Sequence, residues 1–171
     1  IVKSYYGGNA QLLPYPMHPE YTGHFEPLDK MPASVKELFV YDPEKAKKLL
    51  AEAGYPNGFS FKVQVTTANH DHMDLLPLVA GYLSKVGVKI EIVPMEYPAF
   101  LAAMVSKKNE AGYFMNNGHT NPTTSIRKSF VTGQTWNPSQ WADPAYDKKM
   151  DEVYRTRDEG KRQQMIREMT V

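Results

Sequence analysis

One segment decides how this chain folds: Tyr41-Asp-Pro-Glu-Lys-Ala-Lys-Lys-Leu-Leu-Ala-Glu-Ala-Gly-Tyr-Pro-Asn-Gly-Phe59. It predicts a helix with both ends specified. Asp42 can accept hydrogen bonds from the first turn, and Pro43 suits the first helical position because its missing N–H is not needed there. Gly54 can adopt the left-handed conformation that ends a helix. Helical spacing gives the helix one apolar stripe, made of Ala46, Leu49, Leu50 and Ala53.

The residues that follow predict a strand, a second helix and a second strand. Apolar and polar residues alternate from Phe59 to Thr66, which is typical of a half-buried strand. A helical apolar pattern then runs to Val86 and stops at Gly87, and Val88 begins another alternating stretch. A unit of this length predicts two parallel strands joined by a right-handed crossover.

Further elements are predicted downstream. A third helix is expected from about Pro98 to Ser106, and a short strand from Tyr113 to Met115. Two more helices are expected, from Pro144 to about Thr156 and from Asp158 to the end. The third helix should turn four apolar residues inward: Phe100, Leu101, Met104 and Val105.

Composition narrows the functional classes. The chain has 171 residues, of which 42% are hydrophobic and 23% charged, with a net charge of +1. This near-neutral balance argues against a nucleic-acid or other general polyanion binder. No apolar run is long enough to span a membrane. The chain has no cysteine, which excludes disulfides and thiolate metal sites.

The chain is expected to form a single domain over residues 1–171. Residues 1–40 are rich in Pro, Gly and Tyr and predict extended chain with few regular elements, whereas residues 41–171 predict an α/β unit. The chain starts at Ile1 rather than at Met and ends at Val171 within a helical pattern. We therefore interpret it as a piece of a longer protein.

One long segment is unusual in its charge. No Asp or Glu occurs between Ala111 and Ala142, although the chain holds 19 carboxylates. Neutral amides and tryptophans suit a cleft for a polar, uncharged or anionic solute. A plain loop with tryptophan packing anchors explains the same composition. The candidate ligand-binding residues are Asn116, Asn117, His119, Trp136, Asn137 and Trp141.

Three motifs of this chain resemble one family. The opening segment is similar to the "YDPEKAKxLLxEAGYPxGF" signature of the extracellular solute-binding proteins of the dipeptide, oligopeptide and nickel class, which serve ABC importers. The passage from Tyr82 to Pro94 resembles the helix-to-strand passage of that family. The run Trp141-Ala-Asp-Pro-Ala-Tyr-Asp147 resembles the start of a later family helix, and together the matches correspond to the C-terminal lobe.

The resemblance implies an α/β fold with a mixed sheet and helices on both faces, forming one lobe of a two-lobed protein. It implies capture of a small-molecule or peptide solute for an ABC permease, without catalysis and without a cofactor. A missing N-terminal lobe of the same protein is then a partner. The protein would be periplasmic or extracellular, held near the membrane through the transporter or a lipid anchor. The resemblance also implies a helix between the strand near residue 114 and Trp136.

The chain departs from the family at one position. Peptide-binding members carry a "W-x-x-D-x-x-D-P"-like run, whose first Asp pairs with the α-ammonium of a bound peptide. The aligned residues here are Met115, Gly118 and Asn121-Pro122. Glycine cannot balance a buried ammonium, so the sequence argues against this mode of binding a free peptide N-terminus.

Two other functional classes remain open from the residues alone. The cluster His70-Asp-His-Met-Asp74 suggests a small metal-dependent hydrolase using His70, His72 and Asp74, since zinc and nickel accept such ligands. A solvated helix start explains the same residues, because its carboxylates complement the helix dipole. The second alternative is a module whose exposed cleft face binds another protein.

Overall fold

The computed structural model describes residues 1–13, 16–108, 112–115 and 121–170. The chain divides into two compact units. The central unit comprises Tyr41–Asn117, and the terminal unit comprises Ile1–Val40 together with Gly118–Val171. The expectation that residues 1–171 form one domain stays a prediction, and each unit is described by itself.

The central unit begins with the helix that the opening segment predicts. Helix α2 spans Pro43–Glu52, and the Asp42 carboxylate accepts a hydrogen bond from the Lys45 N–H at 2.9 Å. Gly54 follows with φ +90°, so both predicted helix ends are confirmed. None of the α2 residues is buried, and Leu49 on the apolar stripe is 53% exposed. The stripe therefore contributes little to the core of this unit.

A three-stranded sheet forms the centre of this unit. Its strands are β1 (Phe59–Thr66), β2 (Val88–Met95) and β3 (Gly112–Phe114), in the order β2-β1-β3. β1 pairs with β2 in parallel, from Phe59↔Val88 to Thr66↔Met95, and β1 also pairs in parallel with β3. The predicted parallel pair is confirmed. Within the described residues every pairing is parallel, so no antiparallel part of the predicted mixed sheet lies among them.

Helices cover both faces of this sheet. Helix α3 (His70–Ser84) packs Leu76 against Val63 and Val65 on one face. Helix α4 (Tyr97–Val105) contacts the opposite face, where the Phe100 ring meets the Tyr113 ring edge-on at 5.5 Å. The prediction of helices on both faces is confirmed.

The inward face of α4 was predicted with one error. Phe100 and Met104 are buried, as expected, but Val105 is 41% exposed. Val105 is the last residue of α4 and lies one residue beyond Met104. A step of one residue turns about 100° around a helix of 3.6 residues per turn, which takes Val105 off the buried stripe.

The terminal unit is helical. Its helices are α1 (Ala33–Lys36), α5 (Pro122–Phe130), α6 (Pro144–Arg155) and α7 (Glu159–Glu168). Residues 28–30 and 37–39 add short 3-10 turns to the Pro-rich segment. The buried core of this unit consists of Met17, Ile126, Met150, Val153 and Ile166. Both helices predicted after Asp143 are present, and α5 is the helix that the family resemblance implied.

Several helices of this chain begin with a side-chain cap. Asn121, Asp143 and Asp158 each accept hydrogen bonds from backbone N–H groups of the first turn that follows, as Asp42 does. In α2, α5 and α6 a proline comes directly after the capping residue. These caps explain why the starts of these helices could be predicted from the sequence. In the part of the chain that the structure describes, no helix has the length and apolar character needed to cross a membrane.

Candidate functional site

The carboxyl ends of the three parallel strands meet at one edge of the sheet. β1 ends at Thr66, β2 at Met95 and β3 at Phe114. The Thr67 N–H donates to the Met95 carbonyl at 2.9 Å, so the chain segments that leave β1 and β2 stay together beyond the strand ends. Open α/β sheets place ligands outside this edge, which makes it the first candidate surface.

Two side chains at this edge were not singled out from the sequence. Glu96 precedes α4 in the capping position, yet its carboxylate makes no capping hydrogen bond. The Thr67 hydroxyl lies 3.3 Å from a Glu96 carboxylate oxygen and 3.3 Å from the Met95 carbonyl, so its single proton serves two acceptors at the ends of β1 and β2. Tyr97 comes next and is 50% exposed. Their position directly after a predicted strand is the sequence feature that could have identified them as candidates.

Two polar side chains, those of Gln64 and Tyr113, lie on β1 and β3 shortly before these strands end. Gln64 is buried on β1, and its side-chain amide donates to the Met95 sulfur at 3.2 Å. Tyr113 is its register partner on β3. The Gln64 side-chain oxygen and the Tyr113 hydroxyl have no hydrogen-bond partner among the described residues. Burial raises the pKa of Tyr113, so this phenol stays a neutral hydroxyl at physiological pH.

Three of the predicted site residues follow β3 in sequence. Asn116, Asn117 and His119 come shortly after Met115 and lie outside the described residues. Their position along the chain, after the end of a strand, is the reason they were selected. Their role as ligand contacts stays a prediction.

The other three predicted residues lie in one loop of the terminal unit. This tryptophan loop, residues 131–141, connects α5 to the segment before α6. Asn137 is 1% exposed, and its amide nitrogen donates to the Trp141 carbonyl at 2.8 Å and to the Val131 carbonyl at 3.4 Å. The Ser139 hydroxyl donates to its amide oxygen at 2.7 Å. Asn137 therefore joins the two ends of the loop, and its contact with a solute stays a prediction.

The tryptophans of this loop are more accessible. Trp136 is half-buried, and Trp141 is 42% exposed. The Trp141 ring meets the Tyr146 ring edge-on at 5.2 Å and the Phe130 ring at 6.2 Å. The structure thus connects Trp141 to Asn137 through a hydrogen bond and places its ring in an aromatic cluster.

Trp141 also lines a groove of about 720 Å³ in the terminal unit. Phe130, Tyr146 and Met169 supply apolar wall. An ion pair between Lys149 and Glu168 at 2.9 Å lies among the lining residues, and the hydrogen bond from Lys149 lowers the pKa of Glu168. Small-molecule sites commonly have volumes of about 300–1,000 Å³, so this groove has a suitable size.

The metal-site hypothesis finds no geometric support. His72 is buried, and its ring meets Phe114 edge-on at 5.2 Å, whereas His70 and Asp74 are exposed. The described part of the chain contains no cluster of three His, Cys, Asp or Glu side chains able to hold a metal ion. Asn69 caps α3 through the His72 N–H, and His70, Asp71 and Asp74 are exposed, as expected for the competing interpretation of a solvated helix start, whereas the His72 side chain is buried.

Comparison with known proteins identifies the class. The sequence model described as "Bacterial extracellular solute-binding proteins, family 5 Middle" matches residues 1–138. The chain belongs to this family of bacterial extracellular solute-binding proteins. It is 26% identical to Di/tripeptide-binding protein 1 of Pseudomonas aeruginosa over 98% of this chain and 31% of that protein. It is 31% identical to heme-binding protein A of Haemophilus influenzae over 67% of this chain and 20% of that protein.

Solved structures show the same fold. The dipeptide-binding protein from Pseudoalteromonas sp. SM9913, in complex with Met-Leu, matches with a TM-score of 0.80 at 23% identity. That match covers 99% of this chain and 33% of the dipeptide-binding protein. NikA from Staphylococcus aureus, in complex with Ni(L-His)2, matches with a TM-score of 0.82 at 15% identity over 99% of this chain and 35% of NikA. The chain thus spans about a third of the length of these proteins, and the predicted α/β fold, that of one lobe of a two-lobed binding protein, is confirmed.

Proposed function

We propose that this chain forms one wall of the solute cleft in a two-lobed extracytoplasmic binding protein. The protein captures a small solute, peptide-like or another polar compound, and delivers it to an ABC permease without making or breaking a bond. The observation that carries this proposal is the family match over residues 1–138. Relatives named for di- and tripeptides and for heme support a solute-binding class rather than one particular solute.

The solute contacts proposed on this chain fall in two segments of the sequence. Asn116, Asn117 and His119 provide polar contacts where the chain leaves β3, because strand ends are where open α/β sheets place ligands. Trp136 and Trp141 provide aromatic surface from the tryptophan loop. Asn137 adds a polar contact to the solute, and its side-chain hydrogen bonds to the Val131 and Trp141 carbonyls and from the Ser139 hydroxyl hold the loop that presents the tryptophans.

The opposite wall belongs to a second lobe of the same protein. A solute held between two lobes loses most of its exposed surface when the lobes close about a hinge. This chain covers 31% of Di/tripeptide-binding protein 1, 20% of heme-binding protein A and 33% of the dipeptide-binding protein, which leaves room for such a lobe. We place the protein outside the cytoplasmic membrane, held near the permease through the transporter or through a lipid anchor on another part of the protein.

Replacing Trp136 by alanine should weaken solute binding at least tenfold. An aromatic anchor in a binding site typically contributes more than about 1 kcal/mol, and often about 2 kcal/mol or more. Titration calorimetry on the complete protein measures the effect, with a solute identified from a dipeptide screen by thermal shift. Circular dichroism should show an unchanged fold, because Trp136 is only half-buried.

Two further variants make this experiment decisive. Trp136→Phe keeps a flat aromatic surface and should retain most of the affinity, whereas Asn116→Ala should lower it. If Trp136→Ala and Asn116→Ala both bind with the affinity of the unaltered protein, the proposed wall is wrong. The solute site would then be expected among the tyrosines of the first 21 residues.

A further inference from the structure

Gln64 and Tyr113 stand next to each other near the carboxyl ends of β1 and β3. They are register partners on these neighbouring parallel strands, so their side chains project from the same face of the sheet. Neighbouring strands lie about 4.7–4.9 Å apart, which brings both side chains within reach of one small chemical group. They lie on the face that α4 covers, where the Tyr113 ring contacts the Phe100 ring edge-on at 5.5 Å.

Both side chains carry a buried polar atom that has no hydrogen-bond partner among the described residues. Gln64 is 9% exposed, and its amide nitrogen donates to the Met95 sulfur at 3.2 Å, which leaves the amide oxygen as an open acceptor. Burial raises the pKa of Tyr113, so its unpartnered hydroxyl stays neutral and can donate. Buried polar atoms without partners carry a desolvation penalty, so two at one place indicate a partner that the described chain does not supply.

The side chain beside this pair can be displaced. Met95 is the last residue of β2 and is partly exposed, and its sulfur accepts the hydrogen bond from Gln64. A thioether is a weak acceptor on a flexible side chain, so a stronger hydrogen-bonding group can take its place. The strands end together at the edge where open α/β sheets place ligands, and a solute bound there reaches the pair once the Met95 side chain moves aside.

The two open atoms define the chemistry of the group that fits them. The Gln64 oxygen can only accept a hydrogen bond, whereas the Tyr113 hydroxyl can donate one. A primary carboxamide presents an N–H donor and a carbonyl acceptor from the same end and carries no charge. A trans peptide group directs its N–H and its C=O to opposite sides, so it cannot serve both atoms at once. A carboxylate offers no donor to the Gln64 oxygen.

We propose that Gln64 and Tyr113 bind a primary carboxamide group of the solute. The Gln64 oxygen accepts from the carboxamide N–H, and the Tyr113 hydroxyl donates to the carboxamide oxygen. The proposal rests on the solute-binding function proposed above and names a chemical class of solute that this lobe selects.

The test measures binding of three dipeptides of similar size to the complete protein by titration calorimetry. Alanyl-glutamine carries the carboxamide, alanyl-glutamate replaces it by a carboxylate, and alanyl-methionine replaces it by an apolar group. The variants Gln64→Met and Tyr113→Phe each remove one hydrogen-bonding group and keep the approximate size of the side chain. Tyr55→Phe is the control, since it removes the hydroxyl of an exposed tyrosine that lies before the start of β1.

The unaltered protein should bind alanyl-glutamine at least about tenfold more tightly than the other two dipeptides, because a site that hydrogen-bonds one group rejects analogues that leave its polar atoms unpaired. Gln64→Met and Tyr113→Phe should each weaken alanyl-glutamine at least about tenfold and change alanyl-methionine less than about threefold. Without solute, their thermal midpoints should stay the same or rise, because each variant removes an unpartnered buried atom. Tyr55→Phe should leave all three affinities unchanged.

Two results would overturn the inference and leave the proposed function standing. One is unchanged affinity for alanyl-glutamine in both variants, whether or not their stability falls; a fall in stability would mean that the two atoms serve the fold through a bound water or another part of the chain. The other is a protein that binds dipeptides in a wider screen but none that carries a carboxamide. Absence of binding to every dipeptide of that screen would overturn the peptide-like solute function itself, and this inference with it.

Discussion

Replacing Gly58 by alanine should destabilise the central unit by about 3 kcal/mol or more, the largest stability effect expected in this chain. Gly58 closes the turn before β1, where its N–H donates to the Tyr55 carbonyl at 2.9 Å, and it has φ +73°. A β-carbon at this position would lie 2.8 Å from the Gly87 α-carbon, and closer still to the Gly87 carbonyl group. The colliding atoms belong to the backbone just before β2, so no side chain can rotate away.

Gly54 provides the matched control for this prediction. It also has a positive φ, +90°, but a β-carbon there would meet nothing within 4 Å. Gly54→Ala therefore carries only the conformational strain of a left-handed residue, about 1 kcal/mol. Urea unfolding of the two variants measures the difference, which reports the steric term alone. Equal destabilisation by both substitutions would show that the chain segments before β1 and β2 do not approach each other as described.

Replacing Asn137 by alanine should lower the free energy of unfolding by about 2–3 kcal/mol, the second largest effect. The substitution removes a buried amide and leaves the Trp141 carbonyl and the Ser139 hydroxyl without the partner they have in the native loop. These two groups are partly accessible to water, so they carry part of the desolvation penalty, and removal of the buried Asn137 side chain adds a void in the loop. Thermal or urea unfolding, monitored by tryptophan fluorescence, measures the change. Trp136 and Trp141 lie in the same loop as Asn137 and therefore report on it directly.

The same experiment separates the two roles considered for Asn137. Ser139→Ala deletes the donor to the Asn137 side chain and should cost less, about 1 kcal/mol, because the contacts of the amide nitrogen remain. If Asn137→Ala leaves stability unchanged but lowers solute affinity, Asn137 is a solute contact rather than the residue that holds the loop. A loss of stability comparable with that of Ser139→Ala would also contradict the account.

The sequence predicted those elements whose ends carry local signals. Asp42, Asp143 and Asp158 each lie just before a helix and cap it, and Gly54 and Gly87 take positive φ where helices end. Capping and left-handed glycine are short-range effects, so they are visible in a few neighbouring residues. The parallel pairing of β1 with β2 followed from the strand–helix–strand spacing.

Features that depend on distant contacts were not predictable in this way. The apolar stripe of α2 is regular, yet Leu49 remains largely exposed, because periodicity shows which face is apolar and not what covers it. Gln64 reads as a polar, outward position of β1, but α4 and its neighbours bury that face of the sheet. Burial is set by the packing of separate elements, which the local pattern does not contain.

The candidate site also combines features that the local sequence signals with features that depend on distant contacts. Asn137 is predicted as a solute contact because amides suit a polar cleft, and that role stays a prediction; its hydrogen bonds to the Trp141 and Val131 carbonyls could not be foreseen from the sequence. Glu96 and Tyr97 carry no distinctive sequence signal, because single polar residues after a strand are common. Their significance depends on the strand order, which brings the ends of β1 and β2 together and leaves the carboxylate of Glu96 facing Thr67.

The central claim is that this chain supplies one wall of a cleft whose other wall lies elsewhere in a two-lobed protein. Titration calorimetry with one solute, on this chain alone and on the complete protein, tests it most directly. Binding sites usually bury about 70–90% of a small ligand, and a single wall loses much of that contact. We expect the chain to fold by itself and to bind the solute at least about a hundredfold more weakly than the complete protein. Equal, sub-micromolar affinity in the isolated chain would contradict it.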